Sequence, residues 1–395
     1  MRTITYYASR AGSFIKTPGA YALFKIEQNK LKRRPDPLIA ESLYESASSA
    51  VHWLMNAQKQ GKDGGFPTFS MGTGFGASYP ETSGYILETL IKWHSFSPSV
   101  QLEQAIQQVT NWLLDIQHAD GGWQSGYVDE NKPPVVFNTA QVMRGLMAMY
   151  RKTQDATIAD ALDKAAHWIA RVQEPNGVWA RHNYLGQARV YDTYVAAPLV
   201  QWGLLRQHEE VVEAARKHIR WVEKKQHPNG WFADADNTVK RNHQPILHTI
   251  AYTVDGLLEF HQHTGDEQAL SLGKRTAGIL ANRLNTQLRL AGRFDERWIG
   301  YEADIPTGYA QMVVAWRRML DHEPEEQKWK NAIDLACRRL MQMQWKNTGI
   351  AHLDGGISGS YPFWGKYEPF RCPNWAVKYF IDAMMAHPKF PFPSA

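Results

Sequence analysis

A chain of 395 residues has room for two or three ordinary domains of ~150 residues each. Its 44% hydrophobic and 21% charged residues and its net charge of +5 are those of a globular protein, with no basic field of the kind that binds nucleic acid. Two cysteines, Cys337 and Cys372, cannot build a disulfide framework and fit a reducing compartment. No apolar run approaches the ~20 residues of a membrane span, and the opening MRTITYYASRAG lacks the apolar core of a secretory leader. A cytoplasmic protein without an integral membrane segment is expected. The 15 Trp, 17 Tyr and 15 Phe exceed what a plain helical scaffold needs, and aromatic rings also line pockets.

Residues 1–40 read as a lead-in: a short helix over Tyr21–Lys32, a basic cluster Leu31–Arg34 on a solvated face, and the Pro35/Pro37 pair as its end. Residues 41–395 form one repeating domain. Each unit is a helix, a long loop and a second helix. Ser42–Gln58 leads to Lys-Asp-Gly-Gly-Phe at 62–66 and a helix over Gly84–Trp93. Thr110–Ile116 leads to Gln-His-Ala-Asp-Gly-Gly-Trp at 117–123 and a helix opening at Asn138-Thr139. Asp160–Gln173, then Asn176-Gly177-Val178-Trp179, precedes a helix opening at Asp192-Thr193. Val211–Gln226, then Asn229-Gly230-Trp231, precedes one opening at His248-Thr249. A degenerate fifth unit runs from Ala269 to a helix opening at Pro306-Thr307, and a sixth from Trp329 to one opening at Pro373-Asn374.

The glutamines that close the first helices lie at 58, 117, 173 and 226, with the next at 344, so the period is 53–59 residues. Six helix pairs at this period predict an all-α fold, an (α/α)6 toroid. The connection from first to second helix is long and the return, as at Thr264-Gly265-Asp266, is short, so function is expected on the long-loop face.

The Gln-x-x-x-Gly-Gly-Trp turns resemble those of terpene cyclases and protein prenyltransferases, and the six-pair layout is similar to the toroids of glycoside hydrolases, polysaccharide lyases and uronyl epimerases. Ser78–Ile86, Leu247–Glu259 and Gly359–Ala383 are similar to helical proteins encoded beside bacterial polysaccharide-assembly genes. The resemblance spans residues 40–386. A squalene-type cyclase carries Asp-x-Asp-Asp; the nearest match, Asp234-Ala-Asp236-Asn237, lacks the last acid. No Asp-rich pyrophosphate motif and no Asp/Cys/His zinc set is present.

The resemblance therefore implies an enzyme on a uronic-acid-containing glycan or its precursor, in polysaccharide biosynthesis, by C5 proton abstraction (epimerase or lyase) or hydrolysis. A terpenoid cyclase or prenyltransferase relative and a non-catalytic glycan-binding scaffold are the alternatives. Convergent helix N-termini favour an anion. Cations around them are Arg181, Arg189, Lys240, Arg241, Arg293, Arg297, Arg371 and, one turn into its helix, Lys378, with acids such as Glu302 and Asp304 as their competing partners. At the inner-helix starts, Glu81 and His248 stand beside threonines able to cap, which frees them for chemistry. Tyr85 and Tyr252 lie four residues on, one turn below on the same side. Glu81, Tyr85, His182, Tyr184, Asp192, His248 and Tyr252 are the catalytic candidates. Asn138, Arg181, Arg241, Arg293, Arg297, Trp298, Tyr361, Trp364, Arg371, Asn374 and Lys378 are the substrate-binding ones. Trp123, Trp179 and Trp231 are expected to pack rather than bind sugar. Gly72–Gly76 reads as a flexible lid. No spacing demands a metal, no nucleotide loop follows a strand, and no cofactor is expected. Nothing in the pattern indicates an oligomeric state.

Overall fold

In a computed structural model, which describes residues 19–32 and 37–392 together with Gly12 and Thr17, the outer helices are stapled to one another by their closing glutamines. These helices are α2 (Ala40–Gln60), α4 (Val100–Asp115), α6 (Ala156–Arg171), α8 (Glu209–Glu223), α10 (Glu267–Gln287) and α12 (Gln327–Met343). Gln58 donates to Gly64 O of its own turn and Ala105 O of the next unit. Gln117 donates likewise to Gly121 O and Ala161 O, and Gln173 to Gly177 O and Ala214 O. Gln226 reaches Leu272 O and Thr276 Oγ1, and that hydroxyl donates to Gly230 O. The ring closes when Gln344 donates to Ser46 O (2.9 Å) of the first unit and to Gly355 O of its own turn. In the fifth unit, whose helix ends on an exposed Gln287, Asn285 Nδ2 donates instead to Lys328 O of the next outer helix, and Asp304 gathers Arg289, Arg339 and the Tyr309 hydroxyl.

The turn glycine has its own reason. Gly121 sits at φ +106°, and a Cβ there would meet Lys164 O of the next outer helix at 2.4 Å, so only glycine lets the turn dock on its neighbour. The tryptophans lock the same turn from inside. Trp123 Nε1 donates to Leu113 O and Trp179 Nε1 to Ile169 O, and Trp123, Trp179 and Trp231 are all buried, so they pack as expected.

Inside this ring lie α3 (Pro80–Phe96), α5 (Val136–Thr153), α7 (Thr193–Arg206), α9 (Leu247–Thr264), α11 (Pro306–His322) and α13 (Asn374–Ala386), each touching its two neighbours in a closed circle. The fold is the (α/α)6 toroid, with its core between the two rings and one apolar cluster running around it. Helix α1 (Ala20–Lys32) belongs to the lead-in yet docks on the sixth unit: Glu27 accepts from Phe363 N and Lys30 donates to Met343 O. Leu31 is exposed, as a solvated face requires, while Arg33, Arg34 and Pro35 of the basic cluster and its end lie outside the described residues.

Two expectations are corrected. Gly72–Gly76 is not a flexible lid: β2 (Gly74–Ser78) pairs antiparallel with β1 (Pro67–Ser70), which pairs in turn with β5 (Arg371–Cys372). A second small ribbon joins β3 (Arg293–Phe294) to β4 (Gly300–Tyr301). The threonines at the inner-helix starts do not cap either. Thr82 and Thr249 donate to the carbonyls of Tyr79 and Ile246, because an extended residue at the cap presents its carbonyl three positions earlier.

Candidate active site

Four inner helices send their first residues to one cavity of about 430 Å³ on the long-loop face. Glu81 and Tyr85 come from α3, Phe137 and Asn138 from α5, His248 and Tyr252 from α9, and Trp375 from α13. Tyr79, Tyr127, Tyr184, Tyr191 and Tyr367 supply further walls, and Glu130, Lys132, Glu368 and Arg371 stand at the rim. The i, i+4 geometry puts His248 over Tyr252 with ring centres 4.6 Å apart. Beneath them Tyr252 meets Tyr194 (4.6 Å) and Tyr379 (5.9 Å), and the hydroxyls of Tyr379 and Tyr194 are 3.2 Å apart. This tyrosine layer is the floor.

Environment tunes the titratable groups. Loss of water raises the Glu81 carboxyl to about 7, and the Tyr79 hydroxyl only partly offsets that. Tyr79 also engages the amide of Asn138, which itself donates to Gln124 O (2.8 Å). Burial lowers His248 to about 4 despite a bond between its Nδ1 and Gln311 Oε1 (2.8 Å). Tyr85 and Tyr252 are pushed well above 10, mainly by burial. The Tyr252 hydroxyl is buried against those of Tyr85 and Tyr379 without a well-aligned hydrogen bond to either.

Asp192 lies behind this wall. It is fully buried, accepts from Asn183 Nδ2 (2.6 Å), and burial raises it to about 8. Tyr191, its chain neighbour, lines the cavity and lies near enough to feel the charges of both Asp192 and Glu81.

Other sequence candidates go elsewhere. Of the Arg181–Tyr184 loop, only Asn183 and Tyr184 reach the cavity; His182 packs on Trp168, and Arg181 is exposed near Glu174. Arg293 is buried between Asp236 and Glu302, and Arg241 pairs with the same Glu302. Arg297 is exposed, and Trp298 is buried with its Nε1 donating to Asn229 O. Tyr361 is buried beside Lys30 and Arg339, and Trp364 stacks on Phe24 and Phe363. Asn374 donates to Phe66 O and holds a turn. Lys378 pairs with Asp382 (2.7 Å) below the tyrosine floor, at a second cavity of about 580 Å³. Loop acids pair with Arg181, Arg241 and Arg293, and an acid of its own helix with Lys378, which is why charge counted along the chain overstates the charge at the mouth. Arg371 is at the mouth, paired with Glu368 (3.2 Å).

The sequence reading missed Tyr79, Tyr127, Phe137, Tyr191 and Trp375. A signal existed for four: Tyr79, Phe137, Tyr191 and Trp375 each stand within two residues of an inner-helix opening.

Fold and site together define a toroid with a desolvated acid in the wall of an aromatic-lined cavity. No family model matches the chain. It is similar to the solved unsaturated glucuronyl hydrolase specific for heparin, with TM-score 0.69, 17% identity, and 88% of this chain and 97% of that one covered. It is also similar to an α-amylase from Clostridium perfringens, with TM-score 0.64, 10% identity and coverage of 87% and 97%. Among curated proteins, the squalene–hopene cyclase of Zymomonas mobilis is 33% identical over 92 residues, which is 21% of this chain and 13% of that protein's length. These likenesses establish the toroid fold.

Proposed function

We propose that the protein is a glycan hydrolase acting on a uronic-acid-containing oligosaccharide, with Glu81 as the proton donor. The observation that carries this is the Glu81 carboxyl, raised by burial to about 7 in the wall of the cavity. The same tuning argues against C5 proton abstraction. A base must hold on to the proton it takes, and an imidazole lowered to about 4 does so weakly, while the Tyr252 hydroxyl stays protonated. Neither His248 nor Tyr252 is suited to take a proton, which leaves Glu81 as the group that exchanges one.

An unsaturated uronide, the group in the name of the heparin-specific neighbour, suits a site whose one strongly desolvated acid is Glu81, with Glu130 and Glu368 only at the rim. Its C4=C5 bond is an enol ether. Protonation of C4 by Glu81 makes C5 an oxocarbenium ion, and water adds there as its proton returns to the Glu81 carboxylate. The C5 hemiketal opens to a ketone, and collapse of the C1 hemiacetal so formed releases the aglycone as its alcohol. Aromatic faces around the cation stabilise it. The Tyr252 hydroxyl and the Asn138 side chain bind sugar hydroxyls, and Arg371 faces the carboxylate. Asp192 holds the Asn183 side of the wall. Work in cytoplasmic polysaccharide metabolism belongs to the same proposal and rests on the resemblance of the repeats.

The aromatic cup and the short cyclase match favour a second reading, a terpenoid cyclase-like enzyme. Against it stands Asp236, the middle of the partial acid motif. It is fully buried and bound by Arg293, Ile246 N and Thr238.

The deciding assay follows loss of C4=C5 absorbance from unsaturated disaccharides, beside saturated uronides, neutral glucans and linear terpenoids, with wild type and Glu81→Gln. Turnover of the unsaturated uronide alone, lost in Glu81→Gln, supports the proposal. Terpenoid turnover selects the second reading, and binding without turnover across the set leaves a glycan-binding scaffold.

A further inference from the structure

Outside the cavity, α6 and α8 bring two histidines and a glutamate together on the outer wall. One ring nitrogen each from His167 and His208 and one carboxylate oxygen of Glu210 lie within 4.8 Å of one another. The imidazoles of His167 and His208 meet edge to face with ring centres 4.7 Å apart. The hydrogen-bond pattern then poses a problem that a cation solves. His167 Nδ1 lies 2.7 Å from Asp163 O, a carbonyl, so this nitrogen carries the proton and donates. In the neutral ring Nε2 is therefore a bare lone pair, yet Glu210 Oε1 lies 2.9 Å from it. Two acceptors at that distance repel unless a positive charge stands between or beside them.

We infer that His167, His208 and Glu210 form a binding site for a divalent transition-metal ion of the zinc type, which ties the outer helices of the third and fourth units together. Imidazole nitrogens and one carboxylate are borderline ligands that suit zinc and exclude magnesium or calcium. Three protein ligands leave a fourth position for water. Zinc bonds of 2.0–2.2 Å place tetrahedral ligand atoms about 3.3 Å apart, so side-chain rotation must widen the 2.9 Å separation of His167 Nε2 and Glu210 Oε1 slightly and draw in the wider ones, which reach up to 4.8 Å. All three side chains are partly exposed and free to make it: the side chains of His167 and Glu210 are 40% and 60% accessible. A supporting shell is already built. Asp163 accepts from His167 through its carbonyl, and its Oδ1 stands 3.3 Å from His208 Nε2. That carboxylate is itself fixed by Trp202 Nε1 (2.8 Å) and Arg206 (3.0 Å). Ligating histidines are oriented by partners of this kind. The positive N-terminal end of α8, where His208 and Glu210 sit, opposes a cation, and the Glu210 carboxylate offsets it.

The test uses the full chain without an affinity tag, stripped with chelator. Calorimetric titration with zinc chloride at pH 7.5 should show one site, and zinc at 100 times Kd should raise Tm by roughly 3 °C. Cobalt should give the visible absorption of a tetrahedral centre. His167→Ala and His208→Ala should each weaken binding roughly tenfold or more, while His52→Ala, elsewhere on the surface, leaves it unchanged; magnesium should not compete. No saturable zinc binding overturns the inference, as does binding that survives the His167→Ala/His208→Ala double variant.

Discussion

The backbone N–H of Trp123 donates to Thr139 Oγ1 at 2.9 Å, and that hydroxyl donates onward to Val135 O. A residue of the glycine turn is thereby held by the first turn of the inner helix that opens the site. Ser83 Oγ holds Phe66 N in the same way in the first unit. Thr139→Val keeps the shape and leaves the buried Trp123 N–H unpaired. A loss of about 1–3 kcal/mol is expected in denaturant unfolding, with the cavity chemistry retained. An unchanged midpoint contradicts the assignment.

Glu81 gives a prediction with a definite sign. Its folded value, about 7, lies above the ordinary 4.5, so its contribution to stability is full below pH 4.5 and is lost as pH rises through 7. Glu81→Gln should therefore raise Tm at pH 8 and change it little at pH 4. Turnover should fall at least about 100-fold in the variant, and in wild type it should decline as pH rises past 7. A wild-type rate that climbs with pH up to 9 contradicts a proton-donor role.

His218 sits between Trp179 and Trp221, accepted only by Gly177 O, and burial lowers it to about 4. Its folded value lies below the unfolded one, so the unfolded chain binds the proton first and stability drops as pH falls from 6.5 to 4. The expected slope is about 1.4 kcal/mol for each pH unit from this residue. His218→Gln should flatten the acid side of a Tm–pH curve, and an unaltered slope rules this out.

Below the tyrosine floor, Arg144 is bound by both oxygens of Glu259 at 2.8 Å, and both residues are buried. Glu259→Gln strands a buried guanidinium, with an expected cost of about 3–5 kcal/mol in unfolding experiments. A cost under 1 kcal/mol indicates that water or Asp255 replaces the lost partner.

Arg371 stands at the mouth with a half-exposed side chain and a single acid partner. Arg371→Gln should raise KM for an anionic substrate several-fold and leave kcat and Tm nearly unchanged, because a rim charge contributes to capture more than to folding. Equal KM values for wild type and variant would remove Arg371 from the site.

The toroid was legible in the chain because its determinants are local and repeated. A closing glutamine, a glycine that admits positive φ, and a buried tryptophan recur at a steady period, and each acts within its own turn or on the adjacent unit. Half of the site was legible for the same reason. Glu81, Asn138 and His248 occupy corresponding inner-helix starts, and helical spacing carries Tyr85 and Tyr252 with two of them. The charges were not. Arg293 and Arg241 share Glu302, and Lys378 finds Asp382 within its own helix, below the floor. Whether a cation faces substrate or a neighbouring acid depends on which loops meet above the ring.

Sequence by itself determined the ring, its polarity and the address of the site, since hydrogen bonds within and between successive units need only the repeat. Tertiary structure alone decided which side chains face the cavity and how they titrate. The loss of water that sets Glu81 near 7 and His248 near 4 comes from walls contributed by residues 79 to 375, hundreds of positions apart. The meeting of His167 with His208 and Glu210 is likewise a property of packed outer helices, invisible to any spacing along the chain.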